Sequence, residues 1–173
     1  MKRTIPLALT AAAAIGAGTF LLAGPAQAAP SAAAAKSHTC NGVKATIVGT
    51  NGSDEIEGTR GRDVIVALGG HDEIDGNGGN DLICGGAGAD EIDGGAGADT
   101  VFGGSGNDEI DGESGNDKLY GGAGHDEIQG GSGHDRLWGN SGNDRLEGES
   151  GRDKLSGGAG RDRVYQGEEP DED

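Results

Sequence analysis

The segment that decides the fold begins with Gly-Thr-Asn-Gly-Ser-Asp-Glu-Ile-Glu at residues 49–57. The same nine-residue unit occurs thirteen times without an insertion and ends with Gly-Gly-Ala-Gly-Arg-Asp-Arg-Val-Tyr at residues 157–165. The fourth position is always glycine, the sixth is always aspartate, and the eighth is always isoleucine, leucine or valine. The first position is glycine except at Ala67. This array fills 117 of the 173 residues and predicts a solenoid of stacked, equivalent units.

Each repeat divides into a glycine-rich turn and a short strand. Glycine accepts positive φ, so such a turn can direct its carbonyl oxygens inward. The following triplet, for example Glu91-Ile92-Asp93, alternates polar and apolar residues as a strand with one buried face does. Calcium prefers six to eight oxygen ligands from carboxylates and main-chain carbonyls. An aspartate closing a turn of inward carbonyls therefore predicts a calcium site.

The repeat resembles the nonapeptide Gly-Gly-x-Gly-x-Asp-x-U-x of the RTX (repeats-in-toxin) family, in which U is a large apolar residue. The resemblance implies an all-β fold, a parallel β-roll. This roll is a right-handed β-solenoid with two repeats per coil and two parallel sheets of short strands. No toxin or hydrolase domain accompanies the repeats, so the chain looks like the stand-alone secreted calcium-binding members.

In the fold that the resemblance implies, turn n stacks on turn n+2, and each ion lies between aspartates eighteen residues apart. Asp90 would pair with Asp108, and Asp99 with Asp117. Thirteen turns stacked in this way give an upper limit of eleven ions. The implied metal ligands are Asp54, Asp63, Asp72, Asp81, Asp90, Asp99, Asp108, Asp117, Asp126, Asp135, Asp144, Asp153 and Asp162.

Some turns depart from the family pattern. An arginine next to the aspartate, as at Arg62, Arg152 and Arg161, is expected to lower the negative charge of its site. We therefore expect the strongest sites in the middle of the array, from Asp81 to Asp135. The second position lacks glycine, which predicts weaker binding, at Thr50, Thr59, Leu68, Asn77, Glu113, Asn140 and Glu149.

Folding and ion binding are expected to be one reaction. Each repeat buries only one large apolar side chain, which contributes little against the entropy of ordering nine residues, up to three of them glycine. The stacked aspartates also repel one another. We therefore predict that the metal-free chain is largely disordered and that calcium drives its folding.

The segments outside the array have different compositions. Residues 1–28 have a basic start, an apolar stretch and an Ala-Gln-Ala cleavage site, which predicts a secretory signal and an extracellular location. Residues 29–39 form a low-complexity tether that is predicted to be disordered. Residues 40–48 are interpreted as a degenerate N-terminal capping repeat, since Ala45 replaces the aspartate and Ile47 keeps the apolar position. Residues 166–173 form an acidic tail.

The charge of the chain bounds its partners. The formal net charge is −17, and loss of the signal would remove two further positive charges, so the chain is expected to repel nucleic acid and anionic membranes. No membrane insertion is expected, because no segment after the signal is apolar and long enough to span a bilayer. Cations are the expected partners. The carboxylates are periodic, and none stands out as a catalytic acid or base, so we predict no enzymatic activity.

Cys40 and Cys84 are the only cysteines. In a secreted chain two cysteines favour a disulfide, but ideal register would separate them by two coils, roughly 10 Å at the usual strand spacing. A bridge therefore requires the cap to fold over the roll. Unpaired or intermolecular thiols are the alternative.

The two outward faces differ. Odd repeats place acidic residues outward, whereas even repeats carry Phe102, Tyr120 and Trp138 at the same position of successive coils. One interpretation is that these rings stack and stiffen the sheet. The other is that they form a docking surface for a second copy or a surface polysaccharide. The second interpretation supports an alternative function, an extracellular adhesion or matrix module rigidified by calcium.

Overall fold

The computed structural model describes residues 3–5 and 38–167. The rest of the predicted signal, the tether up to residue 37 and the tail from residue 168 lie outside the described residues. Every regular element in the described part is a β-strand, and no helix there is long and apolar enough to cross a membrane.

The odd repeats supply seven strands of an eight-stranded parallel sheet, which we call the acidic sheet because Glu55, Glu73, Glu91, Glu109 and Glu127 project from it. A strand at the N-terminus of the chain pairs with the edge of this sheet at Asp54–Glu57. In order across the sheet the strands are β1 (Arg3–Ile5), β5 (Asp54–Glu57), β7 (Glu73–Asp75), β9 (Glu91–Asp93), β11 (Glu109–Asp111), β14 (Glu127–Gln129), β17 (Arg145–Glu147) and β20 (Arg163–Tyr165).

The even repeats form the second parallel sheet, which we call the aromatic sheet because it carries Phe102, Tyr120 and Trp138. Most of its strands continue for three residues into the next turn, so the turns are paired as well. The strands are β4 (Ile47–Val48), β6 (Val64–Gly69), β8 (Leu82–Ala87), β10 (Thr100–Ser105), β13 (Lys118–Ala123), β16 (Arg136–Ser141) and β19 (Lys154–Ala159).

Two smaller sheets complete the fold. The turns of the even repeats stack through short parallel strands, β12 (Ser114–Gly115), β15 (Ser132–Gly133) and β18 (Ser150–Gly151). Near the N-terminal end of the roll, β2 (Thr39–Cys40) and β3 (Val43–Lys44) form an antiparallel hairpin.

The register of both large sheets is eighteen residues. Ile74 pairs with Ile92 in the acidic sheet, and Phe102 pairs with Tyr120 in the aromatic sheet. Because successive repeats alternate between the sheets, two repeats make one coil. The prediction of an all-β parallel β-roll with two repeats per coil is confirmed.

The core is the column of apolar residues at the eighth position. These side chains project inward from both sheets and are between 0% and 2% exposed from Ile56 to Leu146. The column is open at its ends, where Ile47 and Leu155 are only partly buried and Val164 is exposed. Each coil is therefore covered by its neighbours, and the end coils depend on other contacts.

The hairpin supplies such contacts at the N-terminal end. Cys40 is fully buried against Val64, Val66 and Leu82, which point outward from the aromatic sheet. The hairpin brings the Cα atoms of Cys40 and Cys84 to 5.7 Å, and the two sulfurs form a disulfide. The predicted disulfide is confirmed. Ile47 and Val48 pair in register with Ile65 and Val66, whereas Thr39–Lys44 leave the repeat geometry for the hairpin.

Candidate metal sites

The aspartates of the sixth position lie inside the roll, at the junction of each turn with the following strand. Eleven of them, from Asp54 to Asp144, are buried and no more than 6% exposed. Asp153 and Asp162 are partly buried because no full coil covers them on the C-terminal side. Carboxylates are rarely buried without a charged partner, so this column requires an explanation beyond packing.

One oxygen of each carboxylate is used within the protein. Oδ1 of Asp117 accepts a hydrogen bond from the main-chain N–H of Asp99, one coil earlier, at 2.8 Å. The same bond recurs at every step of eighteen residues, with lengths between 2.7 and 3.1 Å. There are eleven such bonds, which are the eleven aspartate pairs that the sequence analysis inferred. The structure therefore brings those pairs together.

The other oxygen is buried without a hydrogen-bond donor. In the turn of Asp90, Oδ2 lies against Gly85 so closely that a side chain on this glycine would come within 2.7 Å of it. A buried carboxylate oxygen without a donor is costly, and here the same cost recurs in turn after turn. The unpaired atoms are Oδ2 of Asp72, Asp81, Asp90, Asp99, Asp108, Asp117, Asp126, Asp135, Asp144 and Asp153.

Burial shifts the protonation equilibria of these groups. Loss of hydration is the largest cause, and it raises the pKa of Asp108 and of Asp117 to about 7. Charge repulsion from the aspartates one coil away raises the pKa of both further, while the hydrogen bond from the main chain lowers it. The pKa values of Asp99 and Asp126 rise to about 6 for the same leading reason. Without a cation, the middle of the roll disfavours ionised aspartate.

The donor set fits a hard divalent cation only if the main chain contributes. Within residues 38–167, no three histidine, cysteine, aspartate or glutamate side chains are grouped to hold a metal by themselves. Each gap between stacked turns offers two aspartates, whereas calcium takes six to eight oxygens. The remaining ligands would have to be turn carbonyls. The unpaired Oδ2 atoms and the space kept free by Gly85 and its equivalents fit such a cation.

Eleven of the thirteen turns share one backbone conformation. Their second residues have φ between 55° and 121°, including Leu68 and Glu113, which are not glycine. Their fourth residues are glycines with φ between 131° and 152°. At Gly115 a methyl group would overlap the carbonyl oxygen of Gly97 in the preceding coil. In these eleven turns, glycine at the fourth position therefore follows from both the positive φ and the close stacking of the turns.

The first two turns, residues 49–54 and 58–63, differ from the other eleven. Oδ2 of Asp54 accepts hydrogen bonds from the main-chain N–H of Thr50 at 2.6 Å and from its hydroxyl at 2.9 Å. Asp63 receives the same two bonds from Thr59, both at 2.7 Å. From the repeat pattern alone, these threonines are expected only to weaken their sites. Their β-branched side chains, which avoid positive φ, are the pattern that distinguishes these turns in the sequence.

The outward faces have the predicted character. The ring centroids of Phe102 and Tyr120 are 4.8 Å apart and those of Tyr120 and Trp138 are 4.4 Å apart, with nearly parallel planes. The stacking interpretation is confirmed, while the docking interpretation stays a prediction. On the acidic sheet, burial and the neighbouring charge of Asp111 raise the pKa of Asp93 to about 6.

Arg145 and Arg163 place cations on the acidic sheet toward the C-terminus. Nη1 of Arg145 lies 2.6 Å from Oε1 of Glu127, and its other terminal nitrogen contacts Glu147. Glu147 is buried, so this ion pair offsets part of its desolvation.

The comparison with protein families agrees with this geometry. The family model described as RTX calcium-binding nonapeptide repeat (4 copies) matches residues 48–83, 85–110, 102–137, 111–146 and 138–168. Together these matches cover more than half of the chain. No individual curated protein matches it significantly.

Proposed function

The chain belongs to the RTX calcium-binding nonapeptide-repeat family, and from that premise we propose that calcium ions bind cooperatively between its stacked turns and drive its folding. Calcium is the expected partner of these repeats. The proposal concerns which atoms bind the ions and why binding and folding are coupled.

One observation carries the proposal. Oδ2 of ten successive aspartates is buried and has no hydrogen-bond donor, although Oδ1 of the same groups is bonded in regular fashion. A protein-only structure would leave a column of unpaired anionic oxygens. A divalent cation in each gap would neutralise them and accept turn carbonyls as further ligands.

We assign the aspartates of the sixth position as the charged ligands. Each would contribute to the gap on one side of its turn or to both, which couples neighbouring ions along the roll. The glycines at the first position keep the space beside Oδ2 free, as Gly85 does for Asp90 and Gly103 for Asp108. Calcium itself supplies the positive charge, and the chain supplies the spacing.

Coupling to folding follows from where these groups lie. Consecutive coils contact each other through strand pairing, one apolar side chain per strand and the aspartate ladder. Without cations, stacking of the coils buries aspartate carboxyls beside one another and raises the pKa of Asp108 and Asp117 to about 7. At neutral pH this unfavourable environment for the ionised carboxyls opposes stacking. Ion binding removes this opposition for two turns at once, so each bound ion favours the next.

We also propose that the protein is exported by residues 1–28 and folds outside the cell. The disulfide supports this location, because intracellular thiols are normally kept reduced. Extracellular calcium also lies in the range in which secreted modules bind it, about 10⁻⁴–10⁻³ M. Mass spectrometry of the protein recovered from the medium tests the proposal. A mature N-terminus near residue 29 is expected, and an intact Met1 would contradict cleavage.

The ligand assignment is tested by removing charge from two aspartates of successive repeats, which belong to two different stacked pairs. Asp108→Asn/Asp117→Asn keeps the side-chain shape but removes two carboxylates, so we expect fewer bound ions and a calcium midpoint raised several-fold. Glu91→Gln/Glu109→Gln removes the same charge from the acidic sheet and should leave the number of ions unchanged. Equal effects of the two double variants, measured by calorimetric titration, would contradict the assignment.

A second candidate function is an adhesion or matrix module that uses the aromatic sheet. The stacked rings are only partly buried, and the exposed Lys118 and Arg136 precede Tyr120 and Trp138 by two residues on the same face. The triple variant Phe102→Thr/Tyr120→Thr/Trp138→Thr should reduce self-association in sedimentation or attachment to polysaccharide. If neither changes in the calcium-loaded protein, the docking hypothesis fails. Both candidates are non-enzymatic, and a positive hydrolase screen would overturn them on that point.

A further inference from the structure

The two threonine-containing turns satisfy their aspartates without a metal. The Thr50 main chain and hydroxyl both donate to Oδ2 of Asp54, and Thr59 does the same for Asp63. The hydroxyl of Thr59 also accepts the N–H of Gly61 at 3.1 Å, which ties the turn together. Oδ2 of the next ten aspartates has no comparable donor.

The backbone of these two turns differs in the same way. Neither threonine, nor Gly52 or Gly61, adopts the positive φ that the second and fourth residues have in the other eleven turns. A side chain added at Gly52 or Gly61 would meet only the threonine hydroxyl, at 3.9 Å. Since β-branched residues resist positive φ, threonine at the second position favours this alternative turn. The contacts and the backbone conformation thus separate the same two turns independently.

The N-terminal hairpin adds further contacts to the coil that contains these turns and to the coil after it. The hairpin covers the outward side chains of Val64, Val66 and Leu82, which form a second apolar cluster with Cys40. The disulfide from Cys40 to Cys84 fixes the hairpin to β8. The hydroxyl of Thr46 donates to Asp63 at 3.3 Å, adding a contact between the cap and the second turn.

We propose that residues 39–66 form a calcium-independent end of the roll, in which Thr50 and Thr59 replace the ion, and that calcium-driven folding extends from this end toward the C-terminus. This inference rests on the proposed function, because it concerns which turns take ions. In this proposal the threonines bind the aspartate carboxylates in place of an ion, instead of only weakening a calcium site.

The proposal changes the expected number of ions. We call the eleven turns with positive φ at their second and fourth residues open turns. Six open turns are stacked on one side of the roll and leave five gaps between them. The five on the other side leave four gaps. The upper limit is therefore nine ions, not the eleven that thirteen equivalent turns would allow. The two gaps that border the threonine turns are the ones lost.

The test is the double variant Thr50→Gly/Thr59→Gly, which gives both turns the family's Gly-Gly start. Native mass spectrometry of the calcium-loaded full chain should find at most nine ions in the wild type and up to two more in this variant. In chelator, hydrogen exchange of the wild type should be slow in residues 54–66 and fast in residues 100–156. The variant should lose the slow segment.

The matched control is Asn77→Gly/Asn140→Gly, which introduces two glycines at the second position of open turns. It should change neither the ion count nor the slow segment in chelator. Ten or more ions in the wild type, or uniform exchange along the wild-type array in chelator, would overturn the inference while leaving calcium binding intact. Absence of any bound calcium in the wild type would instead contradict the proposed function.

Discussion

The main-chain amide of Asp99 is bonded to Oδ1 of Asp117 one coil later, so this carboxylate joins two coils through the protein while its Oδ2 remains available to a cation. The side chain therefore has two separable roles. Its shape and acceptor oxygen organise the stacked turns, and in the proposed function its charge binds the ion.

Substitutions at Asp117 should separate these roles. Asp117→Asn retains an acceptor for the Asp99 amide, whereas Asp117→Ala leaves this buried amide unpaired. At saturating calcium we expect the alanine variant to be less stable than the asparagine variant by about 1–3 kcal/mol. Denaturant unfolding measures the difference. Equal stabilities would mean that the hydrogen bond from the Asp99 amide to Asp117 contributes nothing to the stability of the folded chain.

The close stacking of turns predicts a strong position dependence for glycine substitutions. Gly115→Ala places a methyl group on the Gly97 carbonyl at a φ of 150°, so it should prevent the two coils from stacking. Gly61→Ala meets only a distant hydroxyl and should be nearly neutral. Circular dichroism at fixed calcium compares the two variants. A Gly115→Ala protein that folds at the wild-type calcium midpoint would contradict the described packing.

The raised pKa values predict an inverse pH dependence without metal. In the folded chain the pKa of Asp108 and Asp117 is about 7, against an ordinary value of 3.8, so the folded state holds more protons between these limits. Its stability is therefore greatest at low pH and falls as the pH rises through about 7. In chelator, β-structure should be greater at pH 5 than at pH 8.

Calcium should reverse this trend, because protons and ions compete for the same carboxylates. Titrations at pH 6 should show weaker calcium binding than at pH 8 and a release of protons, detected by calorimetry in buffers of different ionisation enthalpy. Asp108→Asn/Asp117→Asn should reduce the release. Binding that is independent of pH between 6 and 8 would argue against buried aspartates as ligands.

The disulfide is expected to stabilise the N-terminal end. It joins residues 44 apart, for which chain entropy alone gives about 4 kcal/mol. Cys40→Ser/Cys84→Ser should lower the melting temperature at fixed calcium and speed exchange in residues 54–66. A single Cys84→Ser variant kept reduced is the control for the loss of the bridge alone. An unchanged melting temperature would show that the hairpin holds its place without the bond.

Much of the fold could be predicted because the repeat keeps its phase. An uninterrupted period of nine places Phe102 beside Tyr120 and Asp99 beside Asp117 once two repeats form a coil, and the structure has both pairs. Alternation within each strand also determines which residues form the core. These features follow from the spacing once the family resemblance supplies two repeats for each coil.

The departures depend on contacts that periodicity does not encode. The turn of residues 49–54 has the same spacing as the others, but the Thr50 hydroxyl and backbone give it another conformation. Register alone keeps Cys40 and Cys84 apart, and a local antiparallel hairpin brings them together. The period also does not predict the hydrogen bond that eleven of the aspartates accept from the main-chain N–H of the preceding coil.

If calcium binding and folding of the array are one reaction, a calcium titration of the chain followed by circular dichroism will show it. We expect a cooperative gain of β-structure near millimolar calcium and none with magnesium, with only the small contribution of residues 39–66 present in chelator. A spectrum in chelator already equal to that of the calcium-loaded protein would contradict this expectation.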